Sequence, residues 1–116
     1  MSQFYTDRQL EQLAGEFDEQ GFLRIEDAVD ADQLLHFNAA IDRHRLAFPD
    51  RWVELSDSFC EGTNVLPDTA DFDEAIENPR VLDILRRIIG EEITFEEFAI
   101  MLREPTANLD EIKGWH

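Results

Sequence analysis

The sequence predicts an α+β fold in which helices come first and short strands follow. Three segments carry apolar residues at helical spacing, and residues 93–102 carry short apolar runs that are typical of strands. The composition is that of an ordinary globular domain, since 43% of the 116 residues are hydrophobic and 32% are charged. A chain of this length builds one hydrophobic core, so we predict a single domain over residues 1–116.

The first helix is predicted from about Asp7 to Gln20. Thr6 followed three residues later by Gln9 is a capping-box pattern, which marks a helix start. Gly21 can adopt the left-handed conformation that ends a helix. Apolar residues recur between these signals at Leu10, Leu13, Ala14 and Phe17.

A strand and a second helix are predicted next. The run Phe22–Ile25 is short, apolar and partly β-branched, which favours a strand. Asp30 is a suitable N-cap for the second helix, and Pro49 requires that helix to end before it. The apolar stripe of this helix consists of Leu34, Phe37 and Ile41.

Residues 48–69 show no sustained apolar period. Pro49, Gly62, Asn64 and Pro67 interrupt the pattern, so we predict a long, partly ordered loop. The only regular piece expected within it is a brief extended segment at 64–66.

The last helix and two strands are predicted in residues 78–102. Asn78 before Pro79 combines a capping side chain with a proline at the first helical position, and Gly90 ends the apolar repeat. Residues 93–95 and 98–102 are expected to be extended, with a bulge or turn near Glu96 where the apolar positions change parity. The later strand is apolar at successive positions, which predicts burial on both faces.

Charge limits the classes of partner. The chain has 27 acidic and 10 basic residues and a formal net charge of -17, which repels nucleic acids and anionic membranes. We therefore predict a small-molecule substrate, no nucleic acid and no membrane. Residues 1–6 lack the pattern of a signal peptide, so a cytoplasmic location is expected.

Few side chains outside the carboxyl terminus suggest chemistry. His36 and His44 lie eight residues apart on the second helix, a poor chelating geometry, and are interpreted as partly exposed helix residues without a role. Cys60, the single cysteine, lacks a basic neighbourhood and is expected to be unreactive. An acidic cluster is interpreted as the start of a helix. Its members are Asp68, Asp71, Asp73 and Glu74.

Several segments of the chain follow one another in a specific order. The opening helix is followed by a Gly-Phe-Leu strand pattern, and an Asn-Pro-Arg-Val-Leu helix then leads through a strand and a proline-bearing loop to a Trp-His pair. The segments are 20–27, 39–42, 78–85, 88–90, the strand through Leu102 and Trp115-His116. Taken in this order, they resemble the phytanoyl-CoA dioxygenase family over nearly the whole chain.

That resemblance implies a double-stranded β-helix, the jelly-roll or cupin-like fold, of which this chain supplies the amino-terminal helices and first strands. It implies iron(II) held by a His-x-Asp pair and a later His, with 2-oxoglutarate chelating the metal and an Arg binding its far carboxylate. His116 matches the first of these histidines and is the predicted metal ligand. Met101 is the residue expected to line the cosubstrate pocket, although Ile100 and Leu102 are alternatives because sequence does not fix the strand register. No residue is assigned as catalytic.

The expected function is therefore the amino-terminal part of an Fe(II)/2-oxoglutarate-dependent dioxygenase that hydroxylates a small organic or acyl substrate. Only the first metal ligand has a match in the chain, so we expect the chain alone to hold iron weakly and to be inactive. The alternative is a small acidic protein-interaction module, or a gene remnant, that does no chemistry. The oligomeric state stays open.

Overall fold

The computed structural model describes residue 2 and residues 4–105, which form helices and one three-stranded antiparallel sheet. The α+β prediction is confirmed. These residues divide into two compact units, one built from residues up to Leu34 with 73–95, the other from residues 35–72 with those from Glu96 onward. Within the described residues, no helix combines the length and apolar character needed to cross a membrane.

The helices and strands are numbered in chain order. The helices are α1 Asp7–Gln20, α2 Ala31–Ala47, α3 Asp73–Ile76 and α4 Pro79–Ile89. The strands are β1 Trp52–Ser56, β2 Phe59–Thr63 and β3 Ala99–Arg103. Single 3-10 turns occur at Pro49–Arg51 and Leu66–Asp68.

Helix α1 of the first unit has the predicted ends. The Thr6 hydroxyl accepts a hydrogen bond from the Gln9 backbone N–H at 3.2 Å, and the Gln9 side chain accepts one from the Thr6 N–H at 2.8 Å. This reciprocal pair satisfies backbone donors that the helix start leaves unpaired. Gly21 ends the helix with φ 78°, a conformation that glycine adopts without a Cβ penalty.

Helix α4 packs against α1, and its start is confirmed at Asn78. The buried Asn78 side chain accepts from the Arg80 N–H at 3.1 Å and donates to the Ala28 carbonyl at 2.7 Å. One side chain therefore caps the helix and ties the preceding segment to it. Leu10 and Ile84 are the buried apolar residues of the two helices.

Two predicted strands in the first unit are wrong. Residues 22–25 and 93–95 have no strand assignment, and the sheet contains only β1, β2 and β3. A strand needs a neighbouring strand to pair its backbone groups, and in the described part of the chain neither segment has one. Phe22 is 61% exposed, so this apolar residue does not mark a buried segment.

Helix α2 begins and ends as predicted. Asp30 and Gln33 exchange hydrogen bonds of 3.0 and 2.8 Å between side chain and backbone, which caps the helix start. The helix ends at Ala47, two residues before Pro49. Most of α2 belongs to the second unit, where Ala40 is fully buried.

The segment predicted as a loop at 48–69 instead forms the hairpin of β1 and β2. Trp52 stands opposite Gly62 and Val53 opposite Glu61, and a bulge interrupts the register between Glu54 and Ser56. Gly62 was taken as a break, yet a glycine inside a strand also permits close packing by a neighbour. The expected extended piece at 64–66 is also absent, because Leu66 begins a 3-10 turn.

Strand β3 is confirmed and pairs with β2, but it is not buried on both faces. Ile100 is 9% exposed, whereas Met101 is 57% exposed. Among the described residues, the core of this unit therefore lies on one side of the sheet. It contains Ala40, Val65, Phe72 and Ile100, with Phe37, Ile41, Trp52, Leu66, Phe98 and Leu102 packed around them.

The opposite side of the sheet is called the outer face here. Successive side chains in a strand alternate between faces, so the neighbours of core-facing residues lie on the outer face. The register places Val53, Glu61 and Met101 side by side in one row across the three strands, and Phe59 opposite Arg103 in the next. The Arg103 guanidinium lies 4.0 Å from the centre of the Phe59 ring.

We predict that Gly62→Ala destabilises the protein. A Cβ at position 62 would lie 2.7 Å from the Trp52 ring, closer than carbon atoms can pack, so the indole or the strand must move. The expected loss in the free energy of unfolding is about 1–3 kcal/mol, as for other overpacked sites. Urea denaturation followed by circular dichroism measures it.

Gly15→Ala is the matched control. Gly15 lies within α1, and a Cβ there would meet no atom within 4 Å. This variant should be stabilised by about 0.5–1 kcal/mol, because alanine is the better helix former. Equal effects of the two substitutions would contradict the close packing of Trp52 on Gly62.

Candidate functional site

The most enclosed polar cluster of the described residues surrounds His44 of α2. The His44 side chain is 1% exposed, and its Nε2 atom lies 3.0 Å from Oδ2 of Asp68. On the other side of the ring, the Trp52 indole Nε1–H donates to His44 Nδ1 at 2.9 Å. Indole nitrogen can only donate, so Nδ1 is the acceptor, and Nε2 carries the proton that is donated to Asp68. Both ring nitrogens are therefore engaged.

Asp68 joins the histidine to an arginine. Arg51 donates to Oδ2 of Asp68 from Nε at 3.0 Å and to Oδ1 from Nη2 at 3.3 Å, and the Asp68 side chain is 9% exposed. The hydrogen bonds from Arg51, and then the one from His44, hold the pKa of Asp68 below its ordinary value of 3.8 despite the opposing effect of burial. The carboxylate form is the one that the network stabilises.

Aromatic rings enclose the imidazole. The Phe48 ring stacks on His44 with ring centres 5.0 Å apart and planes inclined by 29°. The Arg45 guanidinium lies 5.6 Å from the centre of the Trp52 ring. The network thus ties α2 to the start of β1 and to the turn that carries Asp68.

This arrangement does not provide a reactive imidazole. A general base needs a free ring nitrogen directed at a proton of the substrate, and neither nitrogen of His44 is free. No hydroxyl or thiol of the described residues is hydrogen-bonded to the His44 ring. We interpret the network as structural.

The interpretation of both histidines as partly exposed is wrong for His44. His36 is exposed, with Nε2 3.1 Å from the Asp71 carbonyl oxygen, and it does not share a site with His44. The sequence did contain a signal, because position 44 continues the buried helical stripe of Phe37, Ala40 and Ile41. A histidine at a core position requires buried polar partners.

The acidic cluster divides between two roles. Asp73 and Glu74 start α3, as predicted. Asp68 and Asp71 instead bind basic side chains, and the hydrogen bond from Arg43, at 3.1 Å, is the main cause that lowers the pKa of Asp71. Among the residues that the structure describes, no group of three or more His, Cys, Asp or Glu side chains is placed to hold a metal ion.

The two site residues expected from the resemblance fall in different places. Met101 lies on the outer face of β3 and is 57% exposed. It stands opposite the half-buried Glu61 of β2. His116, the expected metal ligand, lies outside the described residues. Cys60 is half-buried on β2, opposite Leu102.

Comparison with known proteins identified no relative of this chain. No profile of a known protein family, no curated protein and no solved structure matches this chain. The contacts described above and the residue patterns of the sequence therefore carry the functional interpretation.

We predict that His44→Gln lowers the free energy of unfolding by about 1–3 kcal/mol, because the indole N–H of Trp52 and the carboxylate of Asp68 lose a buried partner. Urea denaturation measures the change. His36→Gln, an exposed substitution on the same helix, should stay within about 0.5 kcal/mol of the unsubstituted protein. A similar loss in both variants would contradict a specific role of the buried network.

We predict that the stability contributed by Asp68 disappears in acid. A carboxyl group whose pKa is lower in the folded than in the unfolded state stabilises fully above the unfolded value, here 3.8, and this contribution is lost as the pH falls through the folded pKa. The difference in unfolding free energy between the protein and Asp68→Asn should thus be largest near neutral pH and should shrink below pH 3.8. Urea titrations at a series of pH values test this. A difference independent of pH would show that the charge of Asp68 does not matter.

Proposed function

We propose that this chain forms the amino-terminal part of an Fe(II)/2-oxoglutarate-dependent dioxygenase domain similar to the phytanoyl-CoA dioxygenase family. In this proposal the three-stranded sheet belongs to a double-stranded β-helix, and the reaction is hydroxylation of a small organic substrate. The sequence resemblance motivates the family, and the geometry of the sheet supports the fold.

The supporting observation is that apolar side chains lie on both faces of the sheet, and only one face is covered in the described residues. Trp52, Ile100 and Leu102 pack in the core with residues of α2. On the outer face, Val53 and Met101 are 53% and 57% exposed. Apolar side chains on both faces are expected of a sheet with a layer on each side. In a double-stranded β-helix the second layer is another sheet, and the site lies between the two.

The position of Met101 fits this arrangement. Its exposed side chain on the outer face is available to line a pocket between two sheets, as expected for a residue that contacts the cosubstrate. Iron(II) with 2-oxoglutarate supplies oxygen activation when bound. The described residues would contribute a wall of the pocket, and His116 would contribute the first metal ligand. The remaining metal ligands and the arginine for 2-oxoglutarate have no match in this sequence.

Two experiments test the proposal. The coding sequence after the His116 codon should encode Asp at the second position, and His and Arg further on. Protein produced with that continuation should convert 2-oxoglutarate to succinate in an iron(II)-dependent manner, and His116→Ala should abolish the conversion because a metal ligand is lost. The 116-residue chain alone should give no turnover.

His36→Ala provides the matched control, because His36 is exposed on α2 and its hydrogen bond in the described residues is to the backbone carbonyl of Asp71. It should leave succinate formation unchanged. Turnover that survives His116→Ala, or a continuation without the His-x-Asp pair, would overturn the proposal. Turnover by the 116-residue chain alone would contradict the ligand assignment.

A second candidate function is a non-enzymatic interaction module. The exposed apolar residues Val53 and Leu55 on the edge strand β1 favour it, since edge strands and apolar patches are common binding surfaces. This candidate expects a continuation without metal ligands and no iron binding by the longer protein. The experiments above therefore separate the two functions.

A further inference from the structure

An acidic side chain lies in the middle of the apolar outer face. Glu61 of β2 stands directly opposite Val53 on one side and Met101 on the other. Directly opposite side chains in antiparallel strands are about 4.5–5.5 Å apart at Cβ, so both apolar neighbours flank the carboxylate. The two neighbours are more than half exposed, and Glu61 between them is half-buried.

No basic side chain among the described residues pairs with Glu61. A basic residue on the same face is Arg103, in the adjacent row of β3. Its guanidinium lies over the Phe59 ring, 4.0 Å from the centre, where a cation–π contact holds it. Within the part of the chain that the structure describes, the Glu61 carboxylate therefore has no cationic partner.

A lone carboxylate on a fully solvated sheet face is ordinary, but its cross-strand neighbours are then usually polar. Here the row that contains Glu61 is otherwise apolar. Covering this face with a further layer would bury the carboxylate, and burial of an unpaired charge is costly. A covered outer face therefore requires a cationic partner for Glu61.

The geometry points to Glu61 as a substrate-binding residue that recognises the ammonium group of a small amine, while Val53, which lies on the other side of Glu61 from Met101, contacts the apolar part of the same molecule. This inference rests on the proposed function, which places the substrate on the outer face, and it specifies an amine as the substrate class. The net charge of -17 favours the approach of such cations.

Binding of three probes that share a six-carbon chain tests the inference on the 116-residue chain, without iron or 2-oxoglutarate. The probes are hexylammonium, neutral hexan-1-ol and anionic hexanoate. Amide chemical shifts of Val53, Glu61 and Met101 should move with hexylammonium, with a dissociation constant on the order of millimolar for an open face. Hexylammonium should bind roughly three- to tenfold more tightly than hexan-1-ol, and hexanoate more weakly than both.

Glu61→Gln should bring the affinities for hexylammonium and hexan-1-ol to within about a factor of two, because the substitution removes the charge-dependent part of the binding free energy and keeps the size of the side chain. Glu54→Gln is the matched control. Glu54 is an exposed residue of the same hairpin, and because it follows Val53 directly in β1, its side chain lies on the opposite face of the sheet. It should preserve the preference for the ammonium probe.

Equal binding of the three probes, shifts confined to other residues, or a preference that persists in Glu61→Gln would overturn the inference. Binding of lysine-containing peptides without binding of the free amine would also overturn it, because it would indicate a protein partner. The assay contains no metal, so it is independent of succinate formation. Failure here together with iron-dependent turnover in the longer protein would refute only the substrate class.

Discussion

The contact on which the second unit depends is the one that Trp52 makes with Gly62 and His44. The indole ring lies directly over Gly62, which is possible only because that residue has no Cβ. From this position its N–H reaches the buried Nδ1 of His44. The ring thereby links the two strands of the hairpin to α2. His44 is in turn hydrogen-bonded to Asp68, and Asp68 accepts hydrogen bonds from Arg51. Removing Trp52 or Asp68 leaves a buried ring nitrogen of His44 without its partner.

The helices could be predicted from sequence because local signals determine their ends. Thr6, Asp30 and Asn78 cap helices through side chains within a few residues of the cap, and such spacings are visible in a sequence. The hairpin could not be predicted in this way. In the sequence, Gly62 resembles a residue that interrupts a strand. Only the structure shows that Trp52, ten positions earlier, packs against it. The buried partner of His44 is similarly distant, since Asp68 follows it by 24 residues.

The outer face of the sheet could be predicted only in part, because it also depends on contacts between residues that are distant in sequence. The continuous apolar run of β3 was correctly taken as extended, but its burial depends on which layers flank the sheet, and residue patterns alone do not show this. Only the register across the three strands reveals that Glu61 is flanked by Val53 and Met101. In the sequence, Val53 and Glu61 belong to a segment without a regular apolar period, and Met101 belongs to a separate apolar run. Their common row is a property of the sheet.

The bulge between Glu54 and Ser56 has a consequence for a protein with an exposed apolar sheet face. A regular edge strand offers an unbroken row of backbone donors and acceptors to another molecule, and such pairing leads to open-ended stacking. The bulge disrupts the regular ladder of β1 and increases its twist, so a second copy finds fewer aligned groups. The irregular strand therefore favours face-on contact with a ligand or covering layer over growth of the sheet from the β1 edge.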